Sequence, residues 1–343
     1  MIVGYLRKNE KPGSIAKLTS IVAGHYGIKL LYFNCEDIDK DNEKITGKVL
    51  QGDKWIEVIE DIPKFIDMKS TLYNFKEKRE YINFLKQHTK VSVDKRIPIP
   101  KDQLNHIFNN NPKISKYLIP SIEITDFKDV LSFLNKYKSI VIKPVFSNQG
   151  KNIYKITKDR NKYIVSYLKE DVVKTKKELK DFYEKNISSS RYMAQKFIYS
   201  RNLEGHPFDC RVHVEKNGRN RWRNVKNYIR IGVGQSVISN VNQGGGVANI
   251  KDFLKANYKE NWEFILEEIK ELARVLPYEV EKHRNFEYMT LGFDVGIDKS
   301  GSLYLFEVND CPTIAPIKME VTLTRVKYYR YILSQLKNGT VEK

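Results

Sequence analysis

The 343-residue chain carries 60 Lys and Arg against 42 Asp and Glu, a formal charge of +18, and 41% of it is hydrophobic. That is enough apolar material for two or three packed modules and too much for a disordered chain. No apolar run nears the roughly 20 residues that span a bilayer, and "MIVGYLRKNEKPG" at the N-terminus lacks the layout of a secretion signal, so a cytoplasmic protein with no membrane attachment is expected.

Cys35, Cys210 and Cys311 lie far apart, with no CxxC pair and no HExxH run. A disulfide scaffold and a cysteine-built zinc site are therefore not expected. The positive charge suits an anionic partner, but a composition rich in Lys, Asn, Ile and Tyr produces the same excess without one. No helix-turn-helix, zinc-finger or aromatic RNA-binding signature is present, so no specific nucleic-acid binding is expected.

In chain order, "IVGYLR" at 2–7 reads as a buried strand, "SIAKLTSIVAGHYG" at 14–27 as a helix ending at Gly27, and "KLLYFN" and "WIEVIE" as further strands. The alternation predicts a small α/β module, without the glycine fingerprints of dinucleotide or P-loop sites. Residues 70–88 are charged and helical in pattern. Two prolines in "KRIPIPKDQ" break the chain, and helices are expected at 102–110 and 126–137. The charged stretch "LKEDVVKTKKELKDFYEKN" at 168–186 is expected to be a solvated helix.

Four stretches carry chemistry. In "SIVIKPVFSNQGKNIYKI" an apolar strand presents Lys143, and a loop with Ser147, Gly150 and Lys151 leads to a second strand. Backbone N–H groups in such a loop can close over phosphates; alone, it is equally an ordinary hairpin. In "FDCRVHV" the period is two, with Phe208, Cys210, Val212 and Val214 on one face and Asp209, Arg211 and His213 on the other. Arg211 can meet phosphate oxygens with its planar fork, or simply form an ion pair on a sheet. Arg230 closes a strand, "SVISN" reads as another, and Asn240, Asn242 and Gln243 precede three glycines whose entropy cost is easiest to understand beside a ligand.

The fourth is "LGFDVGIDKSGSLYLFEVNDCP". A hairpin about "DKSG" folds Asp294 towards Glu307 and Asn309, with strict alternation placing Leu303, Leu305, Glu307 and Asn309 on one face. These hard oxygen donors suit Mg²⁺, which completes its shell with water and nucleotide phosphates. Converging carboxylates without a cation would repel.

The order of these motifs resembles the ATP-grasp superfamily over about residues 95–330. It is most similar to the YheC/YheD endospore-coat-associated type and to ribosomal-protein glutamate ligase-type enzymes. The resemblance implies two α+β subdomains clasping ATP (96–200 with the phosphate loop, 201–343 with the metal site) behind a small α/β pre-grasp domain at 1–95. It implies ATP and Mg²⁺ as cofactors, with Mn²⁺ as a substitute, and a carboxylate and an amine joined through an acyl-phosphate. The amine or acid could belong to an acidic peptide. Phosphoryl or ester transfer, or a coat-associated protein without turnover, are the alternatives. Lys101 and Lys143 then correspond to the nucleotide-phosphate lysines, Gln195, Lys196, Phe197 and Ile198 to the adenine hinge, and Glu204 to a ribose contact. Arg211 and Arg230 face the transferred phosphate, Asn242 lies beside it, and Asp294, Glu307 and Asn309 form the metal triad. The loop "SNQGK" is poorer in glycine than the family pattern.

Overall fold

The computed structural model describes residues 1–95, 103–145, 152–167, 170–232, 245–284 and 286–339. Lys101, Ser147, Gly150, Lys151, Asn242 and the expected strand "SVISN" lie outside the described residues. Three sheets follow one another along the chain.

The first is built from β1 (Ile2–Leu6), β2 (Lys29–Phe33), β3 (Ile38–Asp39), β4 (Lys44–Gln51), β5 (Lys54–Asp61), β6 (Phe65–Met68) and β7 (Lys90–Val91). Its order is β3-β4-β2-β1-β6-β7, with β5 on β4, and β1 runs parallel to both β2 and β6. Helix α1 (Ser14–His25) makes the crossover and ends before Gly27, whose φ of +68° needs no Cβ. The charged stretch from 70 is not one helix. Two short 3₁₀ turns precede α2 (Arg79–His88), which buries Ile82 and Leu85.

After α3 (Gln103–Phe108) and α4 (Pro112–Ser115), the second sheet is antiparallel: β8 (Ser121–Ile124), β9 (Ser139–Pro144), β10 (Tyr154–Asp159), β11 (Lys162–Tyr167), β12 (Glu170–Lys174) and β13 (Tyr192–Lys196), in the order β12-β11-β10-β9-β13-β8. Helices α5 (Phe127–Tyr137) and α6 (Lys176–Asn186) cover one face, burying Val130, Leu134, Leu179 and Tyr183 against Ile140, Ile142 and Ile156. Both helices start with capping boxes, Asp126 with Asp129 and Thr175 with Glu178. The Thr175 cap corrects the expected helix at 168–186: within it, Glu170–Lys174 is the edge strand β12, and the helix starts only at Lys176. β-branched Val172 and Val173 favour that strand.

The third sheet holds β14 (Phe208–Lys216), β15 (Trp222–Ile231), β16 (Gly246–Asn249), β17 (Thr290–Ile297) and β18 (Leu303–Asn309), in the order β16-β15-β14-β17-β18. Beneath it lie α7 (Ile250–Tyr258) and α8 (Trp262–Arg284), which pack Phe253, Ile265, Ile269 and Leu276 against Cys210, Val212, Phe293 and Val295. Leu104, Phe108, Ile114 and Tyr117 from α3 and the segment after it join this core. Among the described residues no helix is long and apolar enough to cross a membrane.

Helix α9 (Lys318–Lys337) ties the last sheet back to the first, packing on α1, β6, β14 and β15. Val326, Tyr329 and Ile332 share a core with Val3, Tyr5 and Phe65. Inside this junction runs a buried polar chain. The Arg325 guanidinium meets both Glu215 oxygens (2.7 and 3.1 Å), and Glu215 also accepts from Thr290 (2.7 Å) and contacts His213 Nε2 at 2.8 Å. Asp67 accepts from Tyr329 and pairs with Arg7 at 3.1 Å. Burial pushes the His213 pKa down despite Glu215. Removing the guanidinium leaves Glu215 buried without its cation. Arg325→Met is therefore expected to lower stability in urea unfolding by about 3–5 kcal/mol; a loss under about 1 kcal/mol would show that the junction does not depend on this pair.

Candidate active site

The face of the third sheet opposite α8 is polar because β14 alternates strictly. Phe208, Cys210, Val212 and Val214 enter the core, and Asp209, Arg211, His213 and Glu215 face the other way. Strand register then sets each charge against its opposite: Arg211 lies across from Asp294, and Asp209 across from Arg230. Arg211 donates from Nε and Nη2 to the two Asp294 oxygens (2.5 and 3.2 Å), and Arg230 donates to both Asp209 oxygens (2.7 and 2.8 Å). Arg230 Nη2 also reaches Asp294 Oδ2 at 2.9 Å, so the two pairs form one cluster.

Strand β18 completes it through a bulge. Asp294 pairs with Glu307 but Val295 pairs with Leu305, leaving Phe306 as the extra residue. This corrects the single face expected for Leu303, Leu305, Glu307 and Asn309. Leu303 and Leu305 are in the core, while the bulge shifts Glu307 and Asn309 to the side of Asp294. Asn309 donates from Nδ2 to Asp294 Oδ2 at 3.3 Å. Two glycines of β17 allow the arrangement. A Cβ on Gly296 would sit 2.1 Å from the Phe306 ring, and one on Gly292 would sit 2.6 Å from Pro312.

Electrostatics follow from burial. Burial alone would raise the Asp294 pKa, but Arg211 and Arg230 together outweigh it and hold the carboxyl at about 2. Burial pushes the Cys210 thiol up, so it is no nucleophile at neutral pH. Among the described residues no three His, Cys, Asp or Glu are grouped to hold a metal. The donor set near the cluster is two carboxylates and one amide, the hard-oxygen chemistry of Mg²⁺.

On the second sheet, Lys143 is buried and donates to Gln195 Oε1 at 2.8 Å. The backbone expected as the hinge is anchored: Lys196 N–H donates to Pro120 O and Phe197 N–H to Ser139 O, while Ile198 O accepts from Ser200 N–H. Glu204 is exposed on the following turn and accepts from Asn202 at 2.9 Å. The structure thus gathers Arg211, Arg230, Asp294 and Asn309 by direct contact, sets Glu307 across from Asp294, and gathers Lys143 with Gln195. Asp209 was absent from the candidates, although its alternation with Arg211 was a usable signal. A cavity of about 170 Å³ lies beside the end of β18, lined by Asp67, Ser70, Thr290, Asp310, Cys311 and Arg325 among others; the buried Ser70 Oγ has no hydrogen-bond partner among the described residues.

Residues 94–335 match the family described as YheC/D-like ATP-grasp, and the chain belongs to that family. It is similar to the endospore coat-associated protein YheC of Bacillus subtilis (strain 168), 22% identical over 300 residues, covering 84% of this chain and 82% of YheC. Among solved structures, D-cycloserine synthetase DcsG shares 10% identity at a TM-score of 0.55, covering 98% of this chain and all of that one. The ATP-grasp ligase PsnB, complexed with a phosphomimetic variant of a minimal precursor, Mg and ADP, shares 12% identity at 0.51, covering 98% of each chain. The fold is that of the ATP-grasp proteins.

Asp294→Asn takes the shared anion from the buried Arg211 and the partly buried Arg230, with an expected loss of about 3 kcal/mol or more at pH 7. The folded-state pKa lies below that of a free Asp, so the stabilisation is full above about pH 4 and is lost as pH falls through about 2. Wild type minus variant stability, followed by denaturation across pH, should be flat near neutrality and shrink only below about pH 4. A difference that shrank near pH 6 would implicate another group.

Proposed function

We propose that this chain is an ATP-dependent ligase that joins a carboxylate to an amine through an acyl-phosphate. The observation that carries the reading is the Arg211–Asp294–Arg230–Asp209 cluster beside Glu307 and Asn309, in a chain that also presents a buried lysine on the helix-free face of its second sheet. In this reading residues 1–95 form a pre-grasp unit, 96–200 the nucleotide half with Lys101, Lys143, Ser147, Gly150, Lys151 and the 195–198 hinge, and 201–343 the half with the metal donors.

A substrate carboxylate attacks the terminal phosphorus of ATP, and ADP leaves. Arg211 and Arg230 stabilise the transferring group by their positive charge, oriented by the carboxylates that engage Nε and Nη2 of each guanidinium. Lys143 neutralises phosphate charge. Asp294, Glu307 and Asn309 would hold Mg²⁺ or Mn²⁺, which supplies charge neutralisation at the phosphates. The amine then attacks the acyl-phosphate and phosphate leaves, with no protein nucleophile required. The cavity beside β18 is the place for the acceptor, and the positive charge of the chain favours an acidic one. The PsnB precursor complex supports a peptide in that role, and use of ATP fits a cytoplasmic setting.

A reading without turnover also has an observation in its favour: the arginine forks are matched by carboxylates within the chain, and the similar protein YheC is named for a coat association. ADP release with Mg²⁺ and panels of amino acids and acidic peptides, with product masses, separates the readings. Loss of water on coupling marks ligation, and added phosphate marks phosphotransfer. With an acidic peptide, turnover should fall as salt rises. Glu307→Gln is expected to lower turnover by about 100-fold or more; unchanged turnover in Mg²⁺ would remove Glu307 from the metal site.

A further inference from the structure

We propose that the margin formed by the β14–β15 hairpin and α9 is a docking surface for an acidic polypeptide segment. It takes part in no step of the proposed reaction. Arg230 stands at one end of β15 and this surface at the other, about 20 Å away along the strand.

The sequence of the hairpin is unusual for this chain. Residues 216–230 hold six basic residues and no acidic one. Three of the chain's 15 arginines, Arg219, Arg221 and Arg223, fall within five residues, whereas the general basic excess consists of 45 lysines. A Lys-rich composition scatters lysines and does not produce a run of arginines. Charges at a sheet margin also block unwanted strand pairing, but that role is served by either sign. Strands β5 and β12, each paired on one side, carry both: Lys54 with Glu57, Glu60 and Asp61, and Lys174 with Glu170 and Asp171.

The fold gathers these cations along one helix. Arg223 lies across from Glu215, which Arg325 of α9 engages, so Arg223 is on the α9 side of the sheet. Arg221, two residues earlier, follows it by alternation. Helix α9 runs beside the hairpin: Lys226 pairs with Glu320 at 3.2 Å, and a Cβ on Gly218 would lie 3.1 Å from the Lys327 carbonyl oxygen. Leu323 lies between these two contacts along the helix, as Arg223 does along the strand. Leu323 is 43% exposed, and Met319, one turn earlier, is 50% exposed. Arg219, Arg221, Arg223 and Lys327 are exposed, and among the described residues none of the four has an ion-pair partner. Strand β16 pairs with β15 only from Tyr228 onward, so among the described residues no strand covers the outer side of 222–227.

Arginine forks take carboxylates and phosphates alike. Two features favour a polypeptide. Exposed Leu323 and Met319 beside the cations suit apolar side chains set between acids. A single-stranded nucleic acid would want exposed rings to stack on, but the ring of this hairpin, Trp222, is held to Glu281 of α8 at 2.8 Å. The net charge of +18 adds long-range attraction for an acidic partner. The competing account is a solvated hairpin end whose arginines meet only water.

The test is fluorescence anisotropy on the full chain with a labelled peptide of alternating Glu and Leu. An all-Glu peptide, a single-stranded oligothymidylate and vesicles containing phosphatidylserine are the other probes. Arg221→Gln with Arg223→Gln is expected to weaken the Glu/Leu peptide by about tenfold or more. Lys162→Gln with Lys176→Gln removes the same charge from exposed positions on the second sheet and should leave binding nearly unchanged. Leu323→Ser should weaken the Glu/Leu peptide and spare the all-Glu one, and added salt should weaken both. No binding of either peptide to the wild-type chain, or an equal loss in the two double variants, would overturn the proposal in favour of a solvated hairpin or of net charge alone. Tighter binding of the oligothymidylate or the vesicles, lost in Arg221→Gln with Arg223→Gln, would overturn it in favour of a nucleic acid or a lipid surface. Binding is read without turnover, so failure here leaves the ligase reading standing, and absent ADP release leaves this surface standing.

Discussion

A buried aspartate shared by two arginines is the interaction around which the candidate site is organised. Asp294 could not stay ionised in its position without Arg211 and Arg230, and neither guanidinium could remain there without a counter-charge. Arg230 is in turn held by Asp209, so the group is an alternating lattice of two cations and two anions laid across three adjacent strands. Such a lattice is near neutral and well oriented at once. In the proposed reaction this lattice would keep both guanidiniums oriented by their carboxylate partners and Asp294 deprotonated. That is pre-organisation in the sense that matters for phosphoryl transfer, where positioning and charge do most of the work.

The same strand that bears Arg211 continues to His213 and Glu215, and there it meets a second buried ionic chain. Arg325 of α9 holds Glu215, and Tyr329 of the same helix holds Asp67 on the first sheet. The last helix of the chain thus fastens the N-terminal sheet to the strand that carries the candidate catalytic arginine. The cavity has wall residues from both sides of this junction, Asp67 and Ser70 from one and Thr290 and Arg325 from the other.

Much of this was legible in the sequence where one strand sufficed to show it. The alternation in "FDCRVHV" placed Arg211 correctly opposite its core face, and the glycine after α1 marked the helix end. The hairpin about "DKSG" brought Asp294 to Glu307. What failed depended on neighbours distant in sequence. Strict alternation put Glu307 beside Leu305, because the bulge at Phe306 arises from packing of its ring on Gly296 in the partner strand. Asp209 was seen on the right face, but its role required the register with Arg230, which no local pattern encodes. The docking of α9 on the first sheet joins residues about 260 positions apart, as with Asp67 and Tyr329. Residues 168–186 looked helical from charge alone, whereas the Thr175 cap divides strand from helix.

The central claim is that Asp294, Glu307 and Asn309 form a metal–nucleotide site under the two arginines. Titration of Mn²⁺ followed by electron paramagnetic resonance, with and without a non-hydrolysable ATP analogue, tests it most directly. The account predicts tight Mn²⁺ binding that depends on the nucleotide and weakens sharply in Glu307→Gln and Asn309→Ala. Mn²⁺ and nucleotide binding that were independent of each other, or unchanged in both variants, would contradict it.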